Sequence, residues 1–128
     1  MIRSMFGAYV KGSVEAVEFY RNAFNANLIN AHMNEDGSYM HAELDVFGQV
    51  FTITEALSEW GERIPGNIMQ ISLHMGEGNE DAVKRAYNVL KEGADLNNLL
   101  HHSLGECFFS PLMFGLIDKF GVNWCVFV

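Results

Sequence analysis

From Ser38 to Phe47 the chain reads SYMHAELDVF, and from Met40 to Val46 apolar and polar positions alternate strictly. In an extended strand successive side chains point to opposite faces, so Met40, Ala42, Leu44 and Val46 fall on one side and Tyr39, His41, Glu43 and Asp45 on the other. The pattern predicts a strand with a core face and a polar face. Twice the period changes to that of a helix. The first helix is expected to take Ser13 as its N-cap with Glu15 in the first turn, and Val17, Tyr20 and Phe24 form its apolar stripe. The second starts at Asn79 with Glu80 and Asp81, and Val83, Ala86, Tyr87 and Leu90 follow the i, i+3, i+4, i+7 spacing. Asn25 and Gly93, which tolerate the left-handed conformation, are the expected stops.

The remaining apolar runs predict strands at 2–10, 28–33, 38–47 and 49–54 around the first helix, and at 68–75, 96–101, 106–117 and 122–128 around the second. Gly48 is a hairpin candidate, and DKFG at Asp118 to Gly121 suits a type I turn closed by glycine. SVEAV at Ser13 matches NEDAV at Asn79, and ANL at Ala26 matches ADL at Ala94, a near-constant offset that points to an internal duplication. Between the halves, EALSEWGERIPGN (Glu55 to Asn67) is rich in turn formers and charge. The expectation is one α+β domain over 1–128, with module one at 1–56, a linker at 57–67 and module two at 68–128. One helix covers one face of a small sheet, so the opposite faces are expected to line a cup suited to a small molecule.

Paired strand-helix-strand-strand-strand modules carrying AVEFYRNAF, HAEL and DKFGVNW resemble the vicinal oxygen chelate superfamily. That superfamily comprises glyoxalase, bleomycin-resistance and extradiol dioxygenase proteins. More narrowly, the chain resembles its PhnB-like branch, often labelled demethylubiquinone methyltransferase-like. The resemblance implies two βαβββ modules forming a curved mixed sheet around a cup. In metal-dependent members, four His or Glu side chains hold a divalent ion; the matching positions here are Met5, Thr52, Gln70 and Cys125, none a strong ligand. A glyoxalase-type metal site, and with it any cofactor, is therefore not expected.

Composition narrows the function classes. The chain has 128 residues, 49 % of them hydrophobic, and a formal charge of −8, so a nucleic-acid backbone is repelled on average. The run from Phe108 to Ile117 is too short and too interrupted for a membrane span. The first residues do not read as a signal peptide, and two cysteines are too few for a disulfide framework, so a cytoplasmic location is expected. Open edges and aromatic loops, among them Trp60, Phe108, Phe109 and Met113, suggest a homodimer.

The candidate ligand-binding residues are Tyr9, His41, Glu43, Thr52, Gln70, His74 and Cys125, with His41 and Glu43 also the candidates for acid/base catalysis. Three readings of that pair stand side by side: groups that bond or exchange protons with a ligand, a solvated wall pair, or, with His74, a site for a transition metal. His101 and His102 are adjacent and point oppositely on a regular strand, so a surface turn is the better reading. Cys125 has apolar neighbours and no base, which suits a small buried side chain rather than a nucleophile. The expected function is binding or sequestering a small organic ligand without a glyoxalase-type metal. The alternatives are a metal-dependent lyase or dioxygenase, and a metal-free enzyme using His41 and Glu43.

Overall fold

A computed structural model describes residues 2–128, which divide into two compact units, the first ending at Arg63 and the second spanning Ile64–Val128. The first contains β1 (Phe6–Val10), α1 (Ser13–Phe24), β2 (Asn27–Met33), β3 (Tyr39–Val46), β4 (Gln49–Glu55) and a short 3-10 turn at Ser58–Trp60. The second contains β5 (Ile71–His74), α2 (Glu80–Leu90), β6 (His102–Cys107), β7 (Ser110–Ile117) and β8 (Asn123–Phe127). Each unit holds one four-stranded sheet, ordered β1-β4-β3-β2 in the first and β5-β8-β7-β6 in the second. In each, the strand before the helix pairs parallel with the last strand, and the other pairings are antiparallel. The class is α+β, and the duplicated strand-helix-strand-strand-strand order is present in both units. Among the described residues no helix is long and apolar enough to cross a membrane.

The helix stripes are buried as their spacing dictates. Ala16, Val17, Tyr20, Ala23 and Phe24 of α1 pack on the sheet face carrying Ala42, Leu44, Val46, Phe51 and Ile53, with the Tyr20 and Phe51 rings edge to face at 5.0 Å. In the second unit Val83, Ala86 and Leu90 of α2 lie over Phe114, Leu116, Trp124 and Val126. Burying each Leu or Phe side chain contributes roughly 1.5–3 kcal/mol, so these two interfaces supply most of the cohesion of each unit. The DKFG turn adds a polar lock. Buried Asp118 accepts the amide hydrogens of Phe120 at 2.8 Å and Val122 at 3.1 Å with one oxygen, and the indole N–H of fully buried Trp124 at 2.8 Å with the other.

Several local expectations are corrected. The N-cap of α1 is Gly12, in the left-handed region at φ 85°, and Ser13 is the first helical residue. Its hydroxyl turns inward to accept the Tyr39 amide at 2.8 Å, and the capping role passes to Glu55, whose carboxylate accepts the amides of Gly12 at 3.1 Å and Ser13 at 2.8 Å. Segment 96–101 is not a strand. The Asp95 and Asn98 side chains bond the amides of Asn97 at 3.0 Å and Leu100 at 2.9 Å, which satisfies that backbone locally and delays the strand to His102. The strands at 2–10 and 68–75 are shorter than expected, beginning at Phe6 and Ile71. Met40, placed on the core face by its parity, is exposed. The Gly48 hairpin is tighter than a lone glycine implies: Phe47 and Gly48 both have positive φ, 53° and 86°, between paired Val46 and Gln49. That is the signature of a type I′ turn, whose twist matches the flanking strands.

Burial pushes the Glu55 carboxyl up, but the hydrogen bonds from Ser13 and Gly12 and the Lys11 charge outweigh it and hold the group below its ordinary value. A carboxyl whose pKa falls on folding stabilises the fold above its unfolded value, and that contribution is lost as pH drops through the folded one. Glu55→Gln is expected to cost about 1 kcal/mol near neutrality and to flatten the acid side of the stability profile. Denaturant melts across that pH range check this; parallel loss of stability in the two proteins contradicts it.

Candidate functional site

In the first unit, α1 covers one face of the sheet, and the positions of opposite parity form the other. The strand register sets Gly7 beside Thr52, Thr52 beside Glu43 and Glu43 beside Asn30, a row that crosses all four strands. Further along the strands the same face carries Tyr9 beside Thr54, and His41 beside His32. In β3 and β4, Glu43 and Thr52 alternate with buried Ala42, Leu44, Phe51 and Ile53, so the strand period itself places them.

The central polar groups are close but loosely engaged. His41 Nε2 lies 3.9 Å from Glu43 Oε2, an ion pair only when the imidazole is protonated and too long for a hydrogen bond. Asn30 Nδ2 donates to Glu43 Oε1 at 3.3 Å, and the His32 and His41 rings stand 6.4 Å apart. The Glu43 side chain is 14 % exposed and that of His41 38 %, so the imidazole is the more reachable of the two. At the end of the row Gly7 accommodates the Thr52 hydroxyl, with which a Cβ there would collide.

At the Tyr9 end the chain folds back. The Ala56 amide continues the β1–β4 pairing by donating to Val10 O at 2.8 Å, and the 3-10 turn that follows sets the Trp60 ring edge-on to Tyr9 at 5.2 Å. Tyr9, Trp60 and Arg63 line an open cleft of about 290 Å³. Trp60 therefore has a partner within its own unit, a placement its position in a polar, turn-rich stretch did not reveal.

Tyr9, His41, Glu43 and Thr52 are thus brought onto one face of the first sheet. The other candidates belong to the second unit. His74 and Cys125 occupy the face of its sheet opposite Leu73, Trp124 and Val126, while Gln70 precedes β5 and donates to Asn123 Oδ1 at 3.2 Å. The His74 ring stacks on Phe127 at 4.8 Å. Cys125 is buried beside Ser72 and Gly115, and burial, with a smaller effect of Cys107, pushes its thiol up, so it stays protonated at neutral pH. His101 and His102 do not form a simple turn, because His102 opens β6. His101 bridges Leu96 O at 3.0 Å and the Tyr87 hydroxyl at 3.3 Å, a structural role.

The donors at the four positions matched to a metal centre are a thioether at Met5, a hydroxyl at Thr52, an amide at Gln70 and a protonated thiol at Cys125. A divalent transition-metal centre of the glyoxalase type is built from imidazole and carboxylate donors, and this set offers neither. Among the described residues, no group of three or more His, Cys, Asp or Glu side chains is arranged to hold a metal.

No family model matches the chain, and no curated protein matches it. Solved structures do. The PhnB protein from Bacillus cereus is similar over 98 % of both chains with a TM-score of 0.74 at 20 % identity. Protein PA1353 from Pseudomonas aeruginosa is similar over 99 % of this chain and 97 % of its own, with a TM-score of 0.75 at 22 % identity. The fosfomycin resistance protein FosX from Listeria monocytogenes, complexed with manganese(II) and sulfate, is similar over 100 % of this chain and 91 % of its own, with a TM-score of 0.66 at 15 % identity. The fold is that of the glyoxalase and bleomycin-resistance proteins.

The thiols give a direct check on the described geometry. In native protein at pH 7.5, iodoacetamide is expected to alkylate half-buried Cys107 first and Cys125 at least roughly tenfold more slowly, since the thiolate is the reactive form. Peptide mass spectrometry over time reads both rates. Equal rates contradict the buried, protonated Cys125.

Proposed function

We propose that the chain belongs to the PhnB-like branch of the vicinal oxygen chelate superfamily and binds a small organic molecule on the uncovered face of its first sheet, without a glyoxalase-type metal. The observation that carries this reading is the His41–Glu43 pair. At 3.9 Å the two groups sit on one face, too far apart to satisfy each other, and the Glu43 side chain is only 14 % exposed. Such half-engaged polar groups retain hydrogen-bonding capacity for a ligand that bridges them. The imidazole offers a donor or an acceptor according to its tautomer, the carboxylate accepts, and Thr52 adds a hydroxyl. His74 and Cys125 line the corresponding face of the second unit in this reading, and Gln70 stands at its margin. A homodimer in the cytoplasm completes it, because the edge strands of both sheets present unpaired backbone.

Support for the family comes from the duplicated topology and the neighbours of known structure; support for a metal-free site comes from the donors at Met5, Thr52, Gln70 and Cys125. The same His41–Glu43 geometry favours one second reading, a metal-free enzyme in which the imidazole moves a proton while the carboxylate orients it.

A thermal-shift screen of small organic compounds separates these. A compound that raises the melting temperature is expected to be recovered unaltered, and His41→Ala or Glu43→Gln to weaken it about 10- to 100-fold, the loss of one or two hydrogen bonds to charged groups. Turnover that vanishes in folded His41→Ala establishes the enzyme instead. A stoichiometric metal in purified protein, or full binding in both variants, overturns the proposal.

A further inference from the structure

The cleft of Tyr9, Trp60 and Arg63 narrows the class of ligand. Arg63 is held in place at its tip, with Nη2 donating to the carbonyls of Trp60 at 3.3 Å and Gly61 at 3.4 Å. Its Nε is buried and has no hydrogen-bond partner. Nor has the guanidinium a carboxylate within ion-pair distance among the described residues, although Glu59 and Glu62 flank it in sequence. A guanidinium with no carboxylate partner keeps its charge available for an anionic acceptor. Beside it stand two aromatic rings, Tyr9 at 62 % and Trp60 at 48 % exposure, in an edge-to-face pair that leaves ring surface open. The cleft volume of about 290 Å³ is at the small end for ligand pockets, enough for one or two fused rings.

We propose that this cleft takes the flat end of an aromatic carboxylate, the ring lying against Tyr9 and Trp60 and the carboxylate on Arg63. This rests on the reading of the first sheet's uncovered face as the ligand face, because Tyr9 belongs to that face. On a chain of formal charge −8 the average field repels an anion, so the preference for a carboxylate has to come from this one guanidinium. That makes the inference sharp to test.

The test compares 2-naphthoate with its neutral analogue 2-naphthamide by calorimetric titration of the intact protein, with circular dichroism confirming that each variant is folded. Wild type is expected to bind the carboxylate at least tenfold more tightly than the amide. Arg63→Gln is expected to abolish that preference by weakening the carboxylate at least tenfold more than the amide, and Trp60→Ala to weaken both compounds severalfold. Equal affinities in wild type, a preference that survives Arg63→Gln, or no binding of either compound at millimolar concentration overturns the inference. The His41 ring resonances, followed against a wider compound set, then tell the failures apart. If other compounds shift them, only the ligand class is wrong; if none does, the ligand face is wrong too.

Discussion

A single amphipathic helix covers one face of a four-stranded sheet and no more. The first unit is organised around that constraint. Tyr20, Phe24 and Val17 of α1 close over Leu44, Val46, Phe51 and Ile53, and the strand period then sends every intervening side chain to the far side. Once the helix face is fixed by burial, the positions of His41, Glu43, Thr52 and Tyr9 follow without further choice. A slip of one residue in β3 would carry the polar set into the core, so hydrophobic burial and presentation of the site are the same register.

Polar contacts keep that register and its frame. Glu55, the last residue of β4, caps α1 through the Gly12 and Ser13 amides, and Ser13 in turn accepts the first amide of β3. The helix start, the β4 end and the β3 start are thus tied at one point, next to the turn that brings Trp60 and Arg63 to Tyr9. In the second unit Asp118 performs the comparable task, holding the β7–β8 turn and the Trp124 indole at once. These satisfied networks contrast with His41, Glu43 and Arg63, whose hydrogen-bonding capacity is only partly used. In the proposed function, the unused capacity of these groups goes to a ligand.

How much of this the sequence discloses follows from the range of the interactions. The β3 faces and both helix stripes are legible because period alone decides them, and the duplication is legible in SVEAV and NEDAV. The cap is misread at Ser13 because its replacement, Glu55, is 42 residues away and reaches the helix only through the fold. Segment 96–101 is misread because Asp95 and Asn98 compete for the backbone with any sheet partner. Arg63 leaves no sequence signal, since its significance lies in an unmet N–H beside two rings that only the 3-10 turn brings together. The residues that pair with Thr52 and Cys125 are Gly7 and Ser72, two positions after Met5 and Gln70, a register that only the folded sheets display. The DKFG turn is legible from its residues, and Asp118 supplies the reason it holds.

The most direct test of the central claim is chemical-shift mapping of the labelled protein with a compound that raises its melting temperature. The account predicts perturbations concentrated on Tyr9, His41, Glu43 and Thr52, with Leu44 and Ile53 on the helix side of the same strands nearly unmoved. Shifts concentrated on α1, or on the helix-facing residues of the first sheet, would contradict it.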